Sequence, residues 1–230
     1  RPMPHWLDFF CYTMFVDRDG KFQLGMLSTS AFKPLAASMG PMLKEESFHL
    51  GTGSNGLRRI IKAGVIPLDM LQRYINKWVS TAHDLFGVDA SSSAHWAYVW
   101  GIKGRWDERK KLDAGIEVDK EILNEESRGH YHDEIVGEVK KLCGYLPEGS
   151  PQLYVPHENF NRDIGATKGE KYYVDGTKFE GTDEDYAEYL TTVLPIPQDE
   201  IDLKELFKQE WIANKPMSTR QIESGIGASA

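Results

Sequence analysis

The chain has 230 residues, 40% hydrophobic and 27% charged, with a formal net charge of −8. These values are ordinary for a globular protein with a sizeable core, and the acidic balance argues against a nucleic-acid partner. No window of about 18 uncharged apolar residues offers a membrane span. The two cysteines, Cys11 and Cys143, give no disulfide framework and fit a reducing compartment, the cytoplasm.

The first expected helix runs from about His5 to Ser28. It is apolar nearly all round, through Trp6, Leu7, Phe9, Phe10, Tyr12, Met14, Phe15 and Val16. Such a helix has to be buried on most sides. With a start at Arg1-Pro2-Met3-Pro4, this reads as the C-terminal part of a longer protein. Asp17 lies at the end of that apolar run, and a buried carboxylate needs a cation or a full set of donors.

A second helix opens at Pro34, where proline suits the first turn. Leu35, Met39, Met42, Glu46, His49 and Gly53 share one of its faces. Pro41 removes a backbone donor and either kinks this helix or restarts it. In both cases Glu46 and His49 are helical, and their flanking Met42, Leu43, Phe48 and Leu50 argue for burial. Gly20 and Gly53 sit one or two turns from these residues; they leave room for a ligand or permit close helix packing.

A third helix spans about Pro67 to Phe86, with Leu68, Leu71, Ile75, Trp78 and Val79 on its apolar side. Asp89 to His95 is a Ser-rich loop or helix cap. Asn124 to Leu142 is helical, and its Glu126 and His130 read as a solvated face. Composition changes at Pro147. From there the chain is rich in Pro, Gly and Tyr, and Lys171 to Lys178 reads as a short hairpin with an Asp-Gly turn. Thr182 caps a last helical segment to about Leu194. The final fifteen residues read as poorly ordered. The expected organisation is a helical domain over residues 1–146 and an irregular extension over 147–230.

The chemistry sits at Asp17, Glu46 and His49. Glu46 and His49 are three residues apart, about 300° of helical rotation, and so share a face. Glu-x-x-His projecting inward is half of a carboxylate-bridged di-iron site in a four-helix bundle. Asp17 precedes Glu46 by 29 residues, enough for two antiparallel helices to bring them level. Hard carboxylates hold and bridge the irons, and one imidazole per iron leaves positions open for dioxygen. Three ligands are present where the bundle pattern needs six. No Gly-x-Gly-x-x-Gly or other flavin or nicotinamide motif appears, so neither cofactor is expected on this chain.

Several stretches resemble one family. They are Phe15-Val-Asp17 with Gly20 after it, Lys33-Pro34, Lys44-Glu-Glu-Ser-Phe-His49, Leu85-Phe-Gly-Val88, Trp100-Gly-Ile-Lys103 and Gly144-Tyr-Leu-Pro147. From about Trp6 to Gly149 the chain is similar to the C-terminal half of di-iron oxygenase subunits that epoxidise aromatic acyl-CoA thioesters. The Trp6-to-Phe15 run and the Pro-rich tail favour the benzoyl-CoA branch over the phenylacetyl-CoA branch.

The resemblance implies an all-α, ferritin-like bundle, of which this is the C-terminal half, followed by a Pro/Gly-rich extension. It implies a monooxygenase converting benzoyl-CoA to 2,3-epoxybenzoyl-CoA in aerobic benzoate degradation. Two iron ions would be held by Asp17, Glu46 and His49 with ligands from an N-terminal half of the bundle. Dioxygen, a separate NADPH-dependent reductase and a homodimeric partner copy complete the implied partners. Gln23, Arg58, Arg59 and Lys62 are the candidate substrate contacts. The competing expectation is a non-catalytic ferritin-like scaffold that docks a catalytic subunit.

Overall fold

His5 starts the first helix: its ring nitrogen accepts a hydrogen bond from the Asp8 N–H at 3.2 Å, satisfying one of the amides that a helix start leaves orphaned. The structure, a computed structural model, describes residues 3–105, 107–117, 119 and 122–207. The final fifteen residues lie outside the described ones.

Among the described residues the fold is all-α, without a β-strand, and of the ferritin-like type. Helix α1 covers Trp6–Cys11, a π-helical turn covers Tyr12–Val16, and α2 covers Asp17–Leu27. One continuous helical rod therefore occupies the expected span, with a π turn that periodicity did not reveal. Thr13 supplies a cause. Its hydroxyl donates to the carbonyls of Phe9 (3.0 Å) and Phe10 (3.2 Å), and such back-bonding competes with the α-helical ladder. The Asp17 N–H consequently reaches back five residues to the Tyr12 carbonyl, and every later side chain is rotated relative to a plain α-helix.

Helix α3 covers Lys33–Ala63, with Pro34 in its first turn and Pro41 inside it. It does not restart at Pro41. Gly64 ends it in the left-handed conformation, φ 64°, which glycine adopts without a Cβ penalty. Helix α4 covers Leu68–Leu85 and buries Leu71, Tyr74, Ile75, Trp78, Val79 and Ala82. Helix α7 covers Asn124–Cys143 and adds Tyr131, Ile135, Val139 and Leu142 to that core. The core against them is Leu7, Cys11, Met14, Phe15, Phe22 and Met26 from α1, the π turn and α2. The first rod is thus buried on most sides as expected, except at Trp6, which is 60% exposed.

Helix α5, Ser92–Val99, is capped by Ser91, so the Ser-rich stretch is a cap with a helix behind it. Helix α6, Glu108–Asp113, was not visible in the sequence. The hairpin reduces to one antiparallel bridge, Tyr172 to Lys178, around Gly176 at φ 88°. Helix α8, Asp183–Val193, begins with a capping box between Thr182 and Asp185.

Residues 147–195 belong to the same compact unit as the helices before them. Phe160 is fully buried, and the Asp84 carboxylate accepts from Arg162 Nε at 2.6 Å. The Gln72 amide donates to the Tyr154 carbonyl at 2.9 Å, and Asn76 donates to the Val193 carbonyl at 2.9 Å. A second unit begins at Ile196 and contains α9, Pro197–Phe207, beyond the expected last helix. Among the described residues no helix is long and apolar enough to cross a membrane.

Candidate metal centre

The first rod and α3 run antiparallel in a register set by glycines. A Cβ on Gly56 would overlap the Phe10 ring, and one on Gly53 would stand 2.5 Å from Met14 N. Further along, a Cβ on Gly20 would stand 3.4 Å from Glu46 Oε1. Phe10, Met14 and Gly20 thus face Gly56, Gly53 and Glu46 in turn. Asp17, between Met14 and Gly20, falls opposite His49. Of the two uses open to these glycines, Gly53 serves close packing, and Gly20 leaves the Glu46 carboxylate its space.

Asp17, Glu46 and His49 converge here. His49 Nδ1 lies 3.6 Å from Glu46 Oε2 and 3.8 Å from Asp17 Oδ2. One ligand atom from each lies within 4.8 Å of the others, a spacing one metal ion can span. The Asp17 and Glu46 side chains are 17% and 21% exposed, while His49 is 55% exposed. The cluster is therefore closed towards the rod and open at the imidazole. The flanking residues do not enclose it. Met42 and Phe48 are exposed, at 44% and 67%, because α3 packs on the rod with one face only.

The electrostatics fit a cation. Burial, then the neighbouring Glu46 charge, pushes the Asp17 carboxyl up to about 6, against a smaller opposing pull from His49. Glu46 Oε2 is buried with no hydrogen-bond donor. Among the described residues no lysine or arginine pairs with either carboxylate. Two partly buried anions in contact, without a cation, are costly unless a positive ion joins them. Two carboxylates and an imidazole are a donor set suited to iron.

A second acidic cluster behaves oppositely. Asp107, Glu126 and His130 also converge, but cations already occupy it. Arg105 donates to both Asp107 oxygens at 2.9 and 3.1 Å and to Glu126 at 2.6 Å. Lys111 reaches Asp107 at 2.8 Å and Glu126 at 3.3 Å. Burial alone would raise the Asp107 carboxyl, but the bonds from Arg105 and Lys111 outweigh it and hold it at about 2.

The four candidate substrate contacts lie apart from the ligands. The Gln23 amide donates to Asp19 (3.1 Å) and the Leu85 carbonyl (3.3 Å), and accepts from Lys103 (3.0 Å). Arg58 and Lys62 stand over the Tyr145 ring, 5.8 and 4.9 Å from its centroid. Arg59 lines a surface groove with Phe10, Phe48, Thr52 and Asn55.

Sequence reasoning missed two neighbours and one buried carboxylate further along the rod. Tyr12 opens the π turn, and its phenol pKa is raised by burial first, then by the charges of Asp17 and Glu46. Buried Arg18 hydrogen-bonds Glu134 of α7 and anchors the start of α2, next to Asp17. Asp8, 1% exposed, is a buried carboxylate whose apolar surroundings were the available signal.

Fold and site together define an all-α, ferritin-like protein with a carboxylate–imidazole cluster between two antiparallel helical rods. The chain belongs to the phenylacetic acid catabolic protein family, whose model matches residues 1–153. It is 43% identical to the benzoyl-CoA oxygenase component B of Aromatoleum evansii, over 46% of this chain and 27% of that protein. The match thus spans about a quarter of the relative's length.

Proposed function

We propose that this chain forms part of a di-iron oxygenase component that epoxidises the aromatic ring of an aryl-CoA thioester, benzoyl-CoA to 2,3-epoxybenzoyl-CoA. The observation that carries this reading is the contact of Asp17, Glu46 and His49 without a compensating lysine or arginine among the described residues. Family membership and the relative's name support the substrate class. Two irons would be held by these three residues and by ligands from an N-terminal half of the bundle. Bound iron supplies the redox chemistry that activates dioxygen.

The chain's own residues do the rest. Asp17 and Glu46 provide the charge that holds a cation, and the rod behind them excludes water from that side. His49 keeps the open side, so dioxygen and the thioester approach past the imidazole. Gly20, with no Cβ, leaves space beside the Glu46 carboxylate that would hold the metal. Arg58, Arg59 and Lys62, two to four turns further along α3, would meet the anionic end of a CoA thioester through charge-assisted bonds. Electrons come from a separate NADPH-dependent reductase; the designation "component B" of the relative fits a multi-component system.

A scaffold without catalysis would not require an uncompensated carboxylate pair, so the cluster counts against that alternative. The test is Glu46→Ala in the assembled oxygenase with its reductase. Loss of ring epoxidation with the helical content retained is the expected result. Wild-type iron content and turnover would overturn the reading.

A further inference from the structure

We infer that Tyr12, Trp78 and Asp8 form a one-electron relay leading from the cluster to the Lys77 edge of the protein. The inference rests on the reading of Asp17, Glu46 and His49 as metal ligands. Tyr12 is half-buried and opens the π turn whose far end is Asp17, and its carbonyl accepts from the Asp17 N–H, one turn away on the same rod. Among the described residues its hydroxyl makes no hydrogen bond to protein, so the phenol is not tied into the fold. Its ring meets Trp78 of α4 edge-on, with centroids 5.4 Å apart at 86°.

Trp78 is 2% exposed, and its indole N–H donates to Asp8 Oδ1 at 2.8 Å. The same oxygen accepts from Lys77 at 2.6 Å, and Asp8 Oδ2 lies 3.2 Å from His5 Nε2. Lys77 is 17% exposed and stands 4.6 Å from the Trp78 ring centroid. The chain of contacts thus begins beside the cluster and ends at a group that reaches solvent.

A purely structural role does not require this arrangement. A buried indole N–H needs one acceptor, and a backbone carbonyl would serve. A buried carboxylate costs desolvation that a carbonyl would not. What the carboxylate adds is a proton acceptor 2.8 Å from the N–H of the ring that would become electron-poor.

Tyrosine and tryptophan are the side chains that give up one electron most readily, and here they are in contact. Tyr12 gives one electron to the metal that the cluster would hold, oxidised by dioxygen in the absence of substrate, and its O–H proton leaves to solvent from the half-buried phenol. Trp78 returns an electron to Tyr12, which takes a proton back from solvent, and the oxidised indole shares its N–H proton with Asp8 Oδ1. A one-electron reductant, a reduced flavin or iron–sulfur protein, refills Trp78 at the Lys77 edge. The relay thereby protects the centre from oxidising equivalents it cannot spend on a substrate.

The test uses the iron-loaded assembly of this chain with the helices that complete its ligands. It is given iron(II) and dioxygen without thioester, and side-chain oxidation is mapped by peptide mass spectrometry. Oxidation is expected at Tyr12 and Trp78, although Trp6 and Trp100 are 60% and 68% exposed. Tyr12→Phe should keep its iron and lose the Trp78 product; Trp78→Phe should accumulate product at Tyr12. Oxidation confined to Trp6, Trp96 and Trp100, or equal Trp78 oxidation in Tyr12→Phe, overturns the relay alone. A wild-type assembly that binds no iron overturns the metal reading and the relay with it.

Discussion

Gly53 lies against the backbone of Met14: a Cβ at Gly53 would stand 2.5 Å from Met14 N and 2.8 Å from the Thr13 hydroxyl. This contact sets the distance between α3 and the π turn, and so the approach of Asp17 to His49. Gly53→Ala should force the rods apart, cost about 1–3 kcal/mol as overpacking does, and weaken iron binding. Gly51, with nothing within 4 Å of its Cβ position, is the control. Gly51→Ala should be neutral or stabilising by up to about 1 kcal/mol. Denaturant unfolding of the two variants decides it; equal behaviour would remove Gly53 from the site's support.

Asp17→Asn should fold and hold less iron, because the amide keeps the shape and loses the charge. The metal-free variant should be more stable than metal-free wild type at neutral pH, by about 1–2 kcal/mol after solvent screening. Metal analysis and melting of both forms check this. Unchanged iron with unchanged activity would exclude Asp17 as a ligand.

The same group fixes a pH dependence. The folded-state pKa of Asp17 is raised to about 6 from 3.8, so the folded state binds more protons between those values. Its unfavourable contribution is fully present above about pH 6 and is relieved as pH falls towards about 4. Iron must displace that proton, so iron(II) affinity should fall as pH drops through about 6. Calorimetric titration in buffers of different ionisation enthalpy should show proton uptake by buffer near that pH. A binding constant flat across this window would contradict the assignment.

Glu126→Gln should leave iron content unchanged, because Arg105 and Lys111 already neutralise that cluster. It should lower stability by about 1 kcal/mol or less, since Glu126 is part-exposed. Iron lost together with Glu126 would make the second cluster a metal site.

The long elements were legible because their periodicity and end signals agree: Pro34 opens α3, Pro67 precedes α4, and Thr182 caps α8. The convergence of Asp17 with Glu46 and His49 followed from spacing on two antiparallel helices. The π turn was hidden because its residues read as ordinary helix, and only the Thr13 hydroxyl hints at it. Burial around His49 was misjudged because Met42 and Phe48 look like core residues in sequence, while α3 has the rod on one side only. Asp8 and Trp78 stayed invisible as a pair, since they are 70 residues apart and no local pattern links them.

Iron per chain is the most direct measurement of the central claim, that Asp17, Glu46 and His49 are one half of a shared di-iron site. Residues 1–230 should be purified alone and together with helices supplying the complementary carboxylate and Glu-x-x-His ligands. The half-site predicts that the chain alone lacks a di-iron centre, that the assembly holds two irons, and that Glu46→Ala loses them, because three of six bundle ligands are here. A monomer of residues 1–230 that binds two irons by itself would contradict it.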